Sequence, residues 1–264
     1  KGKSAFTGPE IKGKTLGVVG LGAIGILVAN AAKSLGMQVY GYDPYLSVDA
    51  AWSLSRDIKH ATSLDDIFAK SDYITVHVPL TEETRGLISK ASIAKMKDGV
   101  RIVNFARGDL VNSKDILEAL QNGKVAAYAT DFPSDELIGE SGVIAIPHLG
   151  ASTPESEDNC AAMAADELKD YLEEGVIRNS VNLPNVVLPR SADTRICLIH
   201  KNVPSMLNQI TATLTEKNVN IDNMINKSKK AFAYTVIDTN DAIGDDTLAA
   251  LSAIEGIVRV RVIR

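Results

Sequence analysis

Gly20, Gly22 and Gly25 stand in the pattern G-x-G-x-x-G between an apolar run, Leu16 to Val19, and a stretch with helical apolar spacing, Ile24 to Leu35. Gly20 permits a tight turn, Gly22 lets backbone approach a pyrophosphate, and Gly25 brings the helix close to the strand, so that unpaired N–H groups at the helix start face the phosphates. Asp43 follows about twenty residues on, at the end of a second strand, Gln38 to Tyr42. A carboxylate there accepts hydrogen bonds from a ribose 2′-hydroxyl and repels a 2′-phosphate, which points to NAD rather than NADP as cofactor. Arg107 ends a further apolar run. Delivered to a crevice by a buried strand, its planar fork can grip a carboxylate bidentately, as lysine cannot; the plainer alternative is a pair with a surface acid.

These residues need a scaffold that brings strand ends together. The runs Tyr73 to Val78, Arg101 to Phe105, Val125 to Thr130 and Val143 to Ile146 alternate with helical stretches at Ser47 to Ser53, from Ser63, at Ser89 to Met96 and from Ser113 to Asn122. That alternation predicts an α/β fold with a doubly wound parallel sheet of Rossmann type, in which strand carboxyl ends border the ligand crevice. His77, Pro79 and the loop to Thr84 should border the cofactor, with His77 a strand-end residue rather than a catalyst. Trp52 reads as a packing contact and His60 as part of a solvated loop. Ser152 to Glu174 reads as one long helix, with Ser152 and Glu155 spaced as a capping box and Gly175 past its end. The Asn- and Pro-rich segment from Asn179 to Pro189 reads as a linker with a short extended piece at Val186. The pattern then changes to β-α-β-β-α-β from Arg195 to Ile263, the order of a ferredoxin-like module. The domains expected are therefore 1–150, a return helix and linker over 151–190, and 191–264.

Composition narrows the class of protein. The 264 residues, 45% hydrophobic and 23% charged, suit a globular chain of two domains, and a net charge of −5 argues against nucleic acid or an anionic membrane as partner. No run is long and apolar enough for a membrane span, so a cytoplasmic location is expected. Cys160 and Cys197 read as buried free thiols, and no metal site is expected. The polar, glycine-rich segment 1–14 enters the first strand without a domain pattern of its own.

The ordered set Gly20-Leu21-Gly22-Ala23-Ile24-Gly25, Asp43, Val76-His77-Val78-Pro79-Leu80, Phe105-Ala106-Arg107-Gly108-Asp109 and Pro147-His148-Leu149-Gly150-Ala151-Ser152-Thr153 resembles the D-isomer-specific 2-hydroxyacid dehydrogenases. Within that family it is most similar to members that oxidise 3-phospho-D-glycerate and carry a C-terminal ACT domain. The resemblance implies a catalytic set of Arg107, Glu136 and His148, the glutamate by its spacing from the arginine. The family's Val-Phe pair after the aspartate is Phe132 alone here, and Leu137 replaces the proline after the glutamate. It further implies that Ala23 and Ile24 touch the pyrophosphate and that Phe105, Ala106, Asp131 and Gly150 line the nicotinamide half, beside Arg107 and His148. The chemistry suits those residue types. Loss of hydride from C2 requires the hydroxyl proton to leave too, which a histidine steadied by a carboxylate can accept.

For the C-terminal module the resemblance implies L-serine as effector, bound between paired ACT domains by His200, Asn202 and Asn220, with a homodimer or homotetramer as the assembly. Ser205 stands where the family has glycine. It also implies a substrate-domain segment ahead of the cofactor domain, so the 264 residues alone should bind NAD but turn over poorly. Two other functions fit less closely: reduction or oxidation of another D-2-hydroxy acid, 2-oxoglutarate reduction included, and a non-catalytic NAD-sensing protein, against which the retained Arg107, Glu136 and His148 speak.

Overall fold

The structure, a computed structural model, describes residues 7–264; the first six residues of the opening segment lie outside the described residues. The chain forms two compact units, Lys1–Gly150 and Ala151–Arg264.

In the first unit β1 (Thr15–Val19), α1 (Ala23–Ser34), β2 (Gln38–Tyr42), α2 (Val48–Trp52), β3 (Lys59–His60), α3 (Leu64–Lys70), β4 (Tyr73–Val76), α4 (Lys90–Ala94), β5 (Val100–Asn104), α5 (Ser113–Gln121), β6 (Val125–Thr130) and β7 (Val143–Ala145) follow one another. All strands pair in parallel in a 7-stranded sheet of order β3-β2-β1-β4-β5-β6-β7. The order reverses between β1 and β4, which opens a crevice at their carboxyl ends. One face packs Ile67, Ile74, Ile102 and Ile116, all fully buried; each such side chain contributes about 1.5–3 kcal/mol by leaving water. The other face holds α1 through Ile26, Ala29 and Ala32 against Val18 and Val39.

In the second unit α6 (Pro154–Lys169) runs into a wider turn, Asp170–Glu174, and stops at Gly175 in the left-handed region. Then come β8 (Thr194–Lys201), α7 (Met206–Glu216), β9 (Asn223–Lys229), β10 (Phe232–Thr239), α8 (Asp245–Ser252) and β11 (Ile257–Ile263), a 4-stranded antiparallel sheet of order β11-β8-β10-β9. Ile196 and Leu198 of β8 face the core shared with α7 and α8, while Cys197 faces the opposite cluster with Ile177, Val186 and Tyr234.

The short extended piece expected at Val186 covers that second face: Val186 is fully buried and exchanges backbone hydrogen bonds with Ile177, because the sheet would otherwise leave one apolar face in water. Side chains of the sheet also satisfy the last carbonyls of the long helical segment. Arg195 Nη1 donates to the Glu174 carbonyl (2.7 Å), Arg261 to those of Tyr171 (3.1 Å) and Leu172 (2.8 Å), and Tyr234 to that of Gly175 (2.8 Å). Arg195 is itself buried in a bidentate pair with Asp238, Nε to Oδ1 at 2.7 Å and Nη2 to Oδ2 at 2.8 Å. Ser191 adds its N–H and hydroxyl to Oδ2. Burial acts to raise the Asp238 carboxyl, but the Arg195 and Ser191 hydrogen bonds outweigh it and hold the group below the usual carboxylate range.

Other local readings differ from the sequence. Thr153, not Ser152, caps α6, because Pro154 occupies the first helical position and the Thr153 hydroxyl accepts from Ser156 N–H. Asn112 caps α5, accepting from Lys114 and Asp115. His60 lies in the edge strand β3 rather than a loop. Trp52 is 83% exposed, since Ala50 of that helix and Leu54 just past it are the residues that turn to the core. Cys160 is an exposed free thiol, on a helix with no buried residue, and Cys197 a buried one whose thiol burial pushes up. Among the described residues no helix is long and apolar enough to cross a membrane.

Replacing Arg195 by Leu strands a buried carboxylate and should lower unfolding free energy by about 3–5 kcal/mol, read from the urea midpoint at pH 7. Asp238 titrates lower folded than unfolded, so the pair's contribution is full above the ordinary carboxylate range and disappears as pH falls through the folded value. The double change Arg195→Met with Asp238→Leu should restore most of the stability and remove that acid-side dependence.

Candidate active site

The glycine turn follows β1 directly. Gly20 has φ +92°, and a Cβ on it would lie 2.7 Å from the His77 carbonyl oxygen; on Gly25 it would lie 1.9 Å from the Gly20 carbonyl oxygen. Both positions therefore require glycine. Gly22 is different, since a Cβ there would meet open space. It caps α1 without any side-chain hydrogen bond, and helical bonding begins with Ile26 N–H on the Gly22 carbonyl. The preceding amides of Ala23, Ile24 and Gly25 are the donors a helix start leaves over. Asp43, one residue past β2, turns its carboxylate to the same turn: Oδ2 accepts from Leu21 N–H at 2.9 Å and Oδ1 from Tyr45 N–H at 2.8 Å. Each oxygen keeps a lone pair for a ribose hydroxyl. An open backbone at Gly22, uncapped helix amides and an acid at the strand end fit a dinucleotide with an unphosphorylated 2′-hydroxyl.

His77 packs beneath the turn, its Nε2 2.9 Å from Thr75 Oγ1 and its N–H on the Val19 carbonyl. Burial lowers its pKa and keeps it neutral. It supports the glycine turn through its backbone.

Along the same carboxyl edge, β5 ends in a turn shaped by Asn104. This fully buried amide donates to the Arg107 carbonyl (2.8 Å) and accepts from Ala106 N–H (3.2 Å), so the chain turns and presents Arg107 to solvent. Phe105 is 43% exposed and Ala106 half-buried at this mouth. Past β6, Asp131 is followed by Phe132, whose N–H is held by Thr130 Oγ1 at 3.1 Å. The Phe132 ring is shared. Arg107 Cζ lies 5.8 Å from its centroid and the His148 ring 4.3 Å, tilted by 37°. His148 Nδ1 is 2.8 Å from Asp131 Oδ2, with the histidine side chain 45% exposed and the aspartate 9%. The other oxygen, Asp131 Oδ1, is buried with no hydrogen-bond partner among the described residues. Gly150 stands open, with nothing near the place of a side chain.

Glu136 is elsewhere. Leu137 is buried in the core and its N–H bonds the Ser134 carbonyl (2.9 Å), while Ser134 Oγ meets Ser113 Oγ (3.1 Å). This ties the turn to the start of α5 and leaves Glu136 on an open groove of about 450 Å³ beside Asn112, Lys114 and the Arg85–Asp109 ion pair. In this structure the acid hydrogen-bonded to the imidazole is Asp131, and Glu136 borders the groove instead. Sequence reading also missed Asn104 and the bridging role of Phe132; a polar residue ending a buried strand and an aromatic beside a strand-end acid were the signals available.

The expected effector residues do not meet within one copy. His200 is 2% exposed, both ring nitrogens engaged by Thr235 Oγ1 (2.8 Å) and the Lys201 carbonyl (2.9 Å). Asn202, just past β8, donates to the Lys230 carbonyl (3.2 Å). Asn220 precedes β9, where Asn223 pairs through Asp238 with the Arg195 end of β8, and bonds Asp241 and Asp222. The asparagines thus lie at opposite ends of the sheet. Ser205 sits at φ +65°, the left-handed region that glycine adopts without cost.

Comparison with known proteins gives a consistent set. The family model described as D-isomer specific 2-hydroxyacid dehydrogenase, NAD binding domain, matches residues 1–150. The chain is 42% identical over 188 residues to a D-3-phosphoglycerate dehydrogenase of Bacillus subtilis, covering 69% of this chain and 35% of that one. Against the Haemophilus influenzae D-3-phosphoglycerate dehydrogenase identity is 35%, over 99% of this chain and 65% of the relative. The chain thus spans between about a third and two thirds of these relatives' lengths. Among solved structures, a glyoxylate reductase from Paecilomyes thermophila superposes with a TM-score of 0.59 at 32% identity, over 66% of this chain and 54% of that one. The apo-structure of D-lactate dehydrogenase from Escherichia coli gives 0.55 at 32%, over 63% and 53%.

The contrast between glycines yields a test. Gly22→Ala should leave the melting temperature nearly unchanged, within about 0.5 kcal/mol, yet weaken NAD about tenfold or more in a fluorescence titration. Gly25→Ala should lower both stability and binding, because its methyl group collides with backbone.

Proposed function

The chain belongs to the D-isomer specific 2-hydroxyacid dehydrogenases, and from that membership we propose that it oxidises 3-phospho-D-glycerate to 3-phosphohydroxypyruvate with NAD, the first step of L-serine biosynthesis. The observation that supports this reading most directly is the common packing of Arg107 and His148 on Phe132. A guanidinium and an imidazole so held can address the carboxylate and the hydroxyl of one 2-hydroxy acid. Arg107 grips the carboxylate and polarises the C2 oxygen as it becomes a carbonyl. His148 uses Nε2, the nitrogen not turned to Asp131, to take the hydroxyl proton. The bound nicotinamide supplies the hydride acceptor. Gly20, Gly22, Ala23, Ile24, Gly25 and Asp43 hold the phosphates and ribose, and Phe105, Ala106 and Gly150 border the nicotinamide end.

The Arg107 and His148 chemistry serves any D-2-hydroxy acid, and structures of a glyoxylate reductase and a D-lactate dehydrogenase are similar to this one. Another small 2-hydroxy acid or 2-oxo acid is therefore the second reading. The names of both relatives compared favour phosphoglycerate.

In the C-terminal part we assign 191–264 to an ACT module, on its β-α-β-β-α-β order and strand arrangement, with residues 151–190 as the return helix whose tail is fastened to that sheet. With Asn202 and Asn220 at opposite ends, a serine held by both requires two copies, so the effector reading carries a homodimer or homotetramer with it.

Steady-state rates with 3-phosphoglycerate, D-lactate and 2-oxoglutarate decide among substrates. Phosphoglycerate should give the highest kcat/KM, and a better rate with another acid overturns the choice. Arg107→Lys should lower kcat/KM about 10²-fold or more by losing the bidentate grip. Calorimetry with L-serine should show binding only under conditions where sedimentation finds a dimer or larger.

A further inference from the structure

We propose that Asn104 is the positioning residue of Arg107, and that its amide aims the guanidinium so that Nε and Nη2 are the atoms offered to a substrate carboxylate. The inference rests on the dehydrogenase reading for its ligand-binding consequence and on geometry alone for its spectroscopic one. Asn104 ends β5 with no exposed surface, paired across the sheet with Val76 of β4 and Thr130 of β6. A polar side chain at the centre of a parallel sheet is costly unless its hydrogen bonds are made. Here they are made to the chain just ahead: Oδ1 accepts from Ala106 N–H at 3.2 Å, and Nδ2 donates to the Arg107 carbonyl at 2.8 Å and to the Tyr128 hydroxyl at 3.4 Å.

The chemistry admits an amide and little else. Turning the group over would set its NH₂ against the Ala106 N–H and its oxygen against the Arg107 carbonyl, so the two backbone groups fix its orientation. Aspartate would lack the donor, serine the reach, and leucine would leave both backbone groups unpaired in a site closed to water.

The guanidinium depends on the turn so made. Arg107 is exposed and its backbone extended, with φ −151° and ψ 141°. Besides Asn104, its carbonyl meets only the Leu110 N–H, at 3.3 Å. The side chain then folds back: Nη1 donates to the carbonyl of Ala106, the residue Asn104 holds, at 2.6 Å, and Cζ lies 5.8 Å from the Phe132 centroid. One nitrogen is thereby engaged by the turn, while Nε and Nη2 remain for a side-on, bidentate grip. Such a grip needs a fixed base, and the buried amide supplies it.

Nitrogen-15 relaxation of the 264-residue chain tests the assignment without ligand or turnover. Asn104→Ser should lower the order parameter of the Arg107 backbone amide from about 0.85 to below about 0.6. Circular dichroism checks that the variant folds. Should it not, Asn104→Asp, which keeps the acceptor and loses the donor, should loosen Arg107 while Ala106 N–H stays protected from exchange. In the wild type the Asn104 side-chain protons should exchange far more slowly than those of the exposed Asn122, and equal rates would overturn the clamp.

Oxamate, a small 2-oxo acid analogue, titrated onto the chain with NADH bound and followed by nicotinamide fluorescence, reads the consequence. Asn104→Ser should weaken oxamate about tenfold and leave NADH within about threefold. In an Arg107→Ala background the same change should alter oxamate binding less than about twofold, because the amide then has nothing to aim. An Arg107 amide that stays ordered in the variant, or an oxamate loss that is the same with and without Arg107, overturns the assignment. A wild-type chain that takes up NADH but no oxamate counts against the dehydrogenase reading alone, since relaxation still decides whether Asn104 holds Arg107.

Discussion

Everything at the crevice follows from how closely α1 starts behind β1. With a hypothetical Cβ on Gly25 only 1.9 Å from the Gly20 carbonyl oxygen, any other residue would push the helix away and take its unpaired amides out of reach of the strand ends. Because the sheet is parallel and reverses its order beside β1, that same edge also collects the turns after β2, β5, β6 and β7. Asp43, Arg107, Asp131 and His148 are delivered there by strands whose other residues serve only to be buried. Positions fixed by packing are then available to polar groups that could not hold themselves in place.

The polar groups depend in turn on a short chain of contacts. Asn104 shapes the turn that offers Arg107, Phe132 packs against both that guanidinium and His148, and Asp131 hydrogen-bonds the imidazole. A fully buried amide satisfied by the turn it supports costs little, whereas the same amide without its partners would destabilise the strand end by about 1–3 kcal/mol.

Much of this was legible in the residues. Strands buried on both faces read as continuous apolar runs, which is why β1, β4 and β5 were visible, and the glycine spacing could be interpreted because each glycine answers a separate steric demand. β3 was not visible: Lys59 and His60 are polar, and they join the sheet only by main-chain pairing with Tyr40 and Gly41. The segment to Val186 looked like a linker because its burial comes from a sheet that closes later in the sequence. The contact of Asp131 with His148 escaped for a related reason. Spacing along the chain counts residues, whereas the anchoring of Leu137 decides where the turn between Asp131 and β7 points, and that depends on the whole core.

The fastening of the long helix has a consequence for how this polypeptide can be divided. The carbonyls of Tyr171, Leu172, Glu174 and Gly175 are capped by Arg261, Arg195 and Tyr234 from three different strands, so the sheet does not end, energetically, where its first strand begins. A cut at residue 191 would remove the carbonyls that two guanidinium groups and a phenol cap, and bare the apolar face that Val186 covers. The smallest portable piece, whether transplanted by recombination in nature or by a cloning scheme at the bench, starts near Asp170 and carries the helix tail with it.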